Sequence, residues 1–134
     1  MNVLFFLLPK AKCAYINESD SIRQAIEKME HHNYTAIPIL SSDGKYISTL
    51  SDGDILYFLK ENNLDLLKSE HINILNVKIR KEIKPIKIDQ NMESLVEIIF
   101  NQNFVPVIDD QNTFIGIITR KTVISYLANK VNLH

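Results

Sequence analysis

An internal repeat constrains the fold of this 134-residue chain more than any other feature. Segment 36–59, AIPILSSDGKYISTLSDGDILYFL, aligns without a gap with segment 104–127, FVPVIDDQNTFIGIITRKTVISYL, at a shift of about 68 residues. Both segments keep the same order of proline, turn, apolar run and hydroxyl residue. Because about 60 residues bury little apolar surface alone, we expect two similar halves that pack sheet to sheet.

Each copy predicts the element order β-α-β-β-α. An extended piece (13–17 or 85–89) precedes a segment with apolar residues at helical spacing. Two apolar runs joined by a turn signal then predict a hairpin, and a second helix follows. The candidate N-caps of the first helix in each copy are Asp20 or Ser21, and Asn91. The predicted fold class is therefore α+β.

The repeat also predicts the domain boundaries. We expect a first repeat over 1–62 that includes the N-terminal segment, a connector over 63–84, and a second repeat over 85–134. The apolar run VLFFLL (3–8) is far shorter than the roughly 20 residues of a membrane-spanning helix, so we expect it to be buried in the core or at a subunit contact. Apolar residues in the connector predict a short helix that docks on the core rather than a loose tether.

Composition excludes several classes of function. The formal net charge is −1, which gives no reason to expect a nucleic-acid partner, and 46% of the residues are hydrophobic, which argues against disorder. One cysteine, Cys13, permits no internal disulfide, so a cytoplasmic location is the simplest expectation. With three glycines, the chain has no phosphate-binding glycine loop, and we expect neither a metal site nor a cofactor.

The stretch STLSDGDIL (48–56) is the most informative candidate site. Ser51 ends a predicted strand and Asp54 lies three residues later, in the first turn of a predicted helix. One interpretation is a helix cap, in which the hydroxyl and the carboxylate accept backbone hydrogen bonds. The other is a ligand grip, in which the helix mouth attracts an anion and the acid binds the vicinal diol of a ribose.

The proline-containing strand and the turn, repeated at this period, together with the sequence GIITR (116–120) of the second copy, resemble the CBS domain over roughly residues 10–130. Two such repeats form a CBS pair, or Bateman module, and the resemblance implies pseudo-twofold packing, adenine-nucleotide ligands in clefts between the repeats, and frequent homodimers. It implies contacts to phosphate and ribose from Ser51 and Asp54 in the first copy and from Thr119 and Thr122 in the second. Thr122 stands where the family has an acid, and Ser48 stands where the second copy keeps Gly116.

A closer similarity is to the stand-alone CBS-pair receptors for cyclic di-AMP of low-GC Gram-positive bacteria. It is carried by KCAYI (12–16), NYTAIPIL (33–40) and ITRK (118–121). It implies that Lys12, Ala14, Thr35, Ala36 and Arg120 hold adenine and phosphate. The full set of candidate ligand-binding residues is Lys12, Ala14, Tyr15, Thr35, Ala36, Ile37, Pro38, Ser51, Asp54, Phe104, Val105, Pro106, Thr119, Arg120 and Thr122.

These features predict a regulatory module that is not an enzyme. Its ligand is AMP, ADP, ATP or cyclic di-AMP, and binding shifts a conformational equilibrium that an unknown target protein reads. We expect a homodimer with no nucleic-acid or membrane partner. The alternative is a structural dimerisation or scaffold protein that keeps the fold and binds no ligand.

Overall fold

The computed structural model describes residues 2–131, which form two compact units. One unit is Ala14–Glu82, and the other consists of the described residues on either side of it. In chain order the elements are β1 (Leu8–Pro9), β2 (Ile16–Asn17), α1 (Ile22–His32), β3 (Ala36–Leu40), β4 (Tyr46–Ser51), α2 (Asp52–Glu61), β5 (Ile86–Lys87), α3 (Met92–Ile99), β6 (Phe104–Ile108), β7 (Phe114–Thr119) and α4 (Arg120–Lys130). The predicted α+β class and the order β-α-β-β-α in each repeat are confirmed.

The first unit is built on a three-stranded sheet in the order β2-β3-β4. β2 runs parallel to β3, and β3 pairs antiparallel with β4. Ser21 caps α1 through a capping box with Gln24, because each side chain accepts a hydrogen bond from the other residue's main-chain amide. The core contains the buried residues Ala14, Ile16, Ile22, Ala25, Met29, Ile37, Ile39, Leu50, Ile55, Ile74 and Val77.

The second unit has a four-stranded sheet in the order β1-β7-β6-β5. β5 is parallel to β6, and β6 pairs antiparallel with β7. The strand register shifts once in each hairpin, after Ile39 in the first and after Val107 in the second. The two repeats therefore share this irregularity as well. The core contains the buried residues Val3, Phe6, Ile86, Leu95, Ile99, Val105, Val107, Ile118 and Val123.

Both hairpin turns place a residue with positive φ at the equivalent position. Gly44 has φ 84° and Asn112 has φ 65°, the two residue types that adopt this conformation most readily. The turns are closed by matching hydrogen bonds from Ser41 N to Lys45 O and from Asp109 N to Thr113 O. The Asp-Gly and Gln-Asn turn predictions are therefore both confirmed.

The N-terminal segment differs from its predicted grouping with the first repeat. The residues before Ala14 cluster with the second repeat, where β1 pairs antiparallel with β7. Val3 and Phe6 are buried in that core, and Phe5 and Phe6 both make edge contacts with Tyr126 of α4. The physical reason is that β7 leaves an open edge beside an apolar cluster, and the run VLFFLL supplies both a strand and apolar surface.

The connector packs on the first repeat, as its apolar residues predict. Ile74 and Val77 lie in the first core, and two short 3-10 helices (Lys68–His71 and Ile74–Asn76) carry the chain across α1. Main-chain hydrogen bonds from Ile22 N to Ile72 O and from Ile74 N to Asp20 O fix the crossing. The unit boundary therefore falls at Glu82, two residues before the predicted end of the connector.

Gly116 lets β1 approach β7 closely. A Cβ at this position would lie 2.2 Å from Leu8 O, and the residue has φ 153°. Ser48 occupies the equivalent position in β4, which is an edge strand of the first sheet, so no strand passes over it among the described residues. The glycine-to-serine difference between the two repeats thus follows from the strand that only the second sheet receives.

We expect Gly116→Ala to lower the free energy of unfolding by about 2 kcal/mol or more, because the methyl group collides with a main-chain carbonyl. Urea denaturation measures the loss. Gly53→Ala is the matched control, since its Cβ would meet only Ser51 Oγ at 3.8 Å. There we expect no loss, or a gain of up to about 1 kcal/mol. Equal stability of the two variants would contradict the close approach of β1.

Candidate functional site

The start of β3 and the end of β4 form one candidate ligand-binding surface in the first unit. Ala36 pairs with Ser51, and the amide of Asp52, the first residue of α2, donates to Thr35 O at 2.9 Å. This contact brings the predicted residues Thr35, Ala36 and Ser51 to the same end of the hairpin. Thr35 is exposed, and Ala36 and Ser51 are half-buried.

The second unit repeats this geometry. Phe104 pairs with Thr119, and the amide of Arg120, the first residue of α4, donates to Asn103 O at 2.8 Å. Both hairpins therefore end in a hydroxyl residue that caps the next helix. The sequence-predicted residues Phe104, Thr119, Arg120 and Thr122 meet at this end.

Asp54 caps its own helix and also holds the connector. Ser51 Oγ accepts from Asp54 N at 3.1 Å, and Asp54 Oδ2 accepts from Ser51 N at 3.0 Å, so the two form a capping box. The second oxygen, Oδ1, accepts from Arg80 N at 3.0 Å. The residue is 4% exposed. The structure thus supports the helix-cap interpretation of this residue, and both oxygens have main-chain partners where the resemblance implies a ribose.

Arg80 extends this contact along α2. Its guanidinium lies over the ring of Tyr57 at 4.3 Å from the centroid and donates to Glu61 at 3.5 Å. Asp54, Tyr57 and Glu61 share a helix face, because they are three and four residues apart. Arg80 is not among the site residues predicted from the sequence. The pattern that could have indicated a basic partner for this helix face is an acid, an aromatic residue and an acid at positions 54, 57 and 61.

The second-repeat turn carries two hydroxyls and no acid. Thr119 Oγ1 accepts from Thr122 N at 3.2 Å, and the two threonine hydroxyls are 2.8 Å apart. Thr122 is exposed. A hydroxyl can donate to a ligand oxygen as well as accept, which a carboxylate cannot do. This turn therefore suits an anionic group better than a turn with an aspartate.

Arg120 caps the C-terminal end of α3. Its Nε donates to Ile99 O at 2.8 Å and to Gln102 O at 3.2 Å, and its Nη2 donates to Phe100 O at 3.4 Å. A cation at this position satisfies carbonyl groups that the helix leaves unpaired and opposes the negative end of the helix dipole. Arg120, which the family resemblance assigns to phosphate, therefore binds carbonyl groups of the protein's own main chain in this structure.

The other predicted residues fall into two groups. Lys12 is exposed at the end of the 3-10 turn Lys10–Lys12, and Lys28 Nζ lies 5.5 Å from the ring centroid of half-buried Tyr15. The remaining predicted residues have buried side chains in the cores and strands, so only their main-chain atoms are candidates for ligand contact: Ala14, Ile37, Pro38, Val105 and Pro106.

Gln102 is a second residue that the sequence does not reveal. It is 6% exposed, and its side chain accepts from Lys84 N at 2.8 Å while donating to Lys84 O and Phe104 O. It ties the chain before β5 to the start of β6. Glutamine in a polar stretch, NQNF, gives no sequence signal for this role.

Shifts in pKa occur away from these turns. Burial raises the pKa of Tyr46 to about 12, and its hydroxyl hydrogen-bonds Thr49. Burial also raises the pKa of the Cys13 thiol, which donates to main-chain carbonyls. A hydrogen bond from Ser41 lowers the pKa of Asp43 in the first turn.

Among residues 2–131, the helical surfaces carry a polar and an apolar cavity. One of about 340 Å³ is polar and is lined by Ser21, Arg23, Gln24, Glu27 and Glu70 in the first unit. The other, of about 210 Å³, is mainly apolar and lies between α3 and α4. Within residues 2–131, no three His, Cys, Asp or Glu side chains group as metal ligands would, and no helix is long and apolar enough to cross a membrane.

Comparison with known proteins identifies the repeat. The family model described as "CBS domain" matches residues 8–61 and 75–129. Each match begins in a segment, 8–13 or 75–82, that the structure assigns to the unit of the other repeat. The matched family unit and the compact folded unit are thus offset along the chain.

Individual relatives are similar over most of the chain. An uncharacterised protein of Methanocaldococcus jannaschii, MJ1426, is 24% identical over 84% of this chain and 84% of its own length. A crystal structure of CbpB in complex with c-di-AMP has a TM-score of 0.88 at 23% identity, covering 98% of this chain and 87% of that one. CBSX2 in complex with AMP has a TM-score of 0.76 at 19% identity, covering 96% of each chain.

We expect Asp54→Ala to lower the free energy of unfolding by about 2 kcal/mol or more, because it removes a cap and leaves the Arg80 amide without its acceptor. Chemical denaturation measures the effect. Asp52→Ala is the matched control, because Asp52 is an exposed acid in the same helical turn whose carboxylate accepts from the amide of Gly53. We expect its cost to stay below about 1 kcal/mol. Equal losses would show that Asp54 does not anchor the connector.

Proposed function

The chain belongs to the CBS domain family, and on that premise we propose that it is an adenine-nucleotide-binding regulatory module. The observation that carries the proposal is the duplicated turn, in which a hydroxyl residue caps a helix beside the first residues of the paired strand. Exposed polar groups and a helix N-terminus at one hairpin end suit a phosphate-bearing ligand. Proteins of the same fold are solved with c-di-AMP and with AMP, which supports this ligand class.

The chemistry of the two turns favours cyclic di-AMP over AMP, ADP or ATP. A free ribose presents two neighbouring hydroxyls that a carboxylate binds well. In the first turn the carboxylate of Asp54 already accepts from two main-chain amides, and in the second Thr122 takes the place of the acid. Cyclic di-AMP carries a phosphodiester on the 3′ oxygen, so it needs a hydroxyl donor there and not a carboxylate.

The roles of the remaining groups follow from their positions. Thr35 offers an exposed hydroxyl, and main-chain atoms around Ala14 and Ala36 read the adenine edge, because the small side chain lets the ring approach. Lys12 and Arg120 attract the phosphates. We assign Tyr15 and Phe104, both half-buried, to contacts with the base.

The output of the module is binding rather than catalysis. We propose a homodimer in the cytoplasm, where adenine nucleotides occur, whose occupancy is read by a target protein. Ligand shifts the population of one conformation only by its difference in affinity for the two states. Membership of the CBS domain family supports a regulatory role.

A scaffold function without ligand is the second candidate. It is favoured by the main-chain partners of Asp54 and Arg120, which are two of the three charged residues that the family resemblance assigns to the ligand. A module that has lost its ligand would retain such residues for stability alone. Nucleotide binding separates the two candidates.

A thermal-shift panel of adenine and guanine mono-, tri- and cyclic dinucleotides tests the proposal. We expect cyclic di-AMP to stabilise the folded chain by about 2.7 kcal/mol at a hundredfold excess over its Kd, and AMP or ATP at that same concentration to stabilise it less, because their Kd is higher. A guanine ligand that stabilises more than its adenine counterpart would contradict the base assignment. No shift with any ligand would favour the scaffold.

Thr122→Asp restores the family's acid and tests the ligand preference. We expect it to weaken cyclic di-AMP by about tenfold, through repulsion of the phosphodiester, and to strengthen AMP. The fold should tolerate the change, because the introduced carboxylate and Thr119 then form a capping box. Thr122→Asn is the control of similar shape without charge. Calorimetry that finds the same ligand order in all three proteins would remove position 122 from the site.

A further inference from the structure

The two first helices of the repeats end in different ways. Helix α1 ends at Asn33, which has φ 58° and whose amide donates back to the helix, so its end is closed by its own main chain. At the end of helix α3 the amides of Phe100 and Asn101 also donate back to the helix, but Phe100 is in a right-handed conformation and neither residue has the positive φ of Asn33. The carbonyls of Ile99 and Phe100 accept hydrogen bonds from the side chain of Arg120.

Arg120 reaches this helix end from the proposed ligand site. It is the first residue of α4 and lies between the cap Thr119 and the exposed Thr122. Its side chain bonds three carbonyl groups, and these are neutral acceptors. A phosphate is charged and accepts two parallel hydrogen bonds from one guanidinium, which is the stronger interaction.

We propose that Arg120 is a two-position residue that couples nucleotide binding to the end of α3. This inference rests on the proposed function. Without ligand the guanidinium holds the carbonyls of Ile99, Phe100 and Gln102; when a phosphate occupies the β7–α4 turn, the guanidinium turns to it and releases them. The released end is close to water, since Phe100 is 78% exposed, so its carbonyl is readily hydrated.

The release changes an apolar surface. Phe100 and Arg120 both line the cavity of about 210 Å³ between α3 and α4, together with Ile124 and Leu127. Ile124 is 54% exposed and Leu127 is 43% exposed. Movement of Arg120 and of the α3 end therefore reshapes this cavity.

Among its described residues, the first repeat has no side chain that bonds the end of its first helix as Arg120 does in the second. The residue equivalent to Arg120 is Asp52, whose carboxylate accepts from the amide of Gly53 at 2.7 Å and does not reach the end of α1. The coupling is therefore confined to the second repeat. The end of α1 serves as an internal control in the same molecule.

Hydrogen exchange measured by mass spectrometry tests the coupling, with cyclic di-AMP as the probe. In the ligand-free protein the amides of Phe100 and Asn101 donate to Val96 O and Ile98 O and should be protected. We expect saturating ligand to raise their exchange about tenfold, while the amides of Asn33 and Tyr34 at the end of α1 stay unchanged.

Variants separate the two positions of the guanidinium. Arg120→Gln should raise the amide hydrogen exchange of residues 99–103 in the ligand-free protein and should weaken the binding of cyclic di-AMP. Arg120→Lys should also loosen the α3 end, because an ammonium cannot reach three carbonyls, but it should retain more affinity because the charge remains. Lys121→Gln removes the neighbouring exposed cation and should behave as the unaltered chain.

The outcomes distinguish this inference from the proposed function. A ligand that raises the melting temperature but leaves the α3 end equally or more protected overturns the coupling and leaves the function standing. Normal protection of the α3 end in Arg120→Gln also overturns the coupling. Absence of any thermal shift with adenine nucleotides rejects the function, and the coupling with it.

Discussion

Each repeat is too small to bury its sheet and helices alone, and a segment that precedes or follows the repeat in sequence supplies the missing apolar surface. In the second unit Val3 and Phe6 enter the core and β1 extends the sheet; in the first, Ile74 and Val77 of the connector fill the core without adding a strand. Burial of about four large apolar side chains is worth several kcal/mol, which is a large part of the stability of a small domain. A segment from outside the hairpins and helices thus completes each core.

Helix ends connect this architecture to the proposed ligand site. The hydroxyls of Ser51 and Thr119 cap α2 and α4, and the capping partner three residues later is an acid in one repeat and a threonine in the other. Capping needs only an acceptor, so both residue types suit the fold, but they differ in charge toward a ligand. Asp54 uses its second oxygen to hold the connector, which gives the acid a role in stability that Thr122 does not share. The difference between Asp54 and Thr122 therefore has a structural cause, and it makes the two turns chemically different.

The sequence predicts the parts of the fold that local chemistry determines. Helical spacing, the candidate caps Ser21 and Asn91 and the turn pairs at 43–44 and 111–112 all lie where the structure places them, because each depends on neighbours within a few residues. The placement of the N-terminal segment is not local. VLFFLL signals burial but not the partner, and the clue is Gly116, which permits the close approach of another strand. In the candidate site, residue types and spacing predict the turns, whereas the main-chain partners of Asp54 and Arg120 depend on segments 26 and about 20 residues away in sequence.

The offset between repeat and unit has a consequence for synthesis on the ribosome. Residues 14–82 form a contiguous unit, so its core can close soon after they leave the exit tunnel. The apolar run at 3–8 is made before that unit, yet the strand that receives it, β7, is made about 100 residues later. At about 5–20 residues per second this leaves the run unpaired for several seconds in a growing chain. The apolar run therefore stays without its partner strand in the nascent chain until the last hairpin emerges.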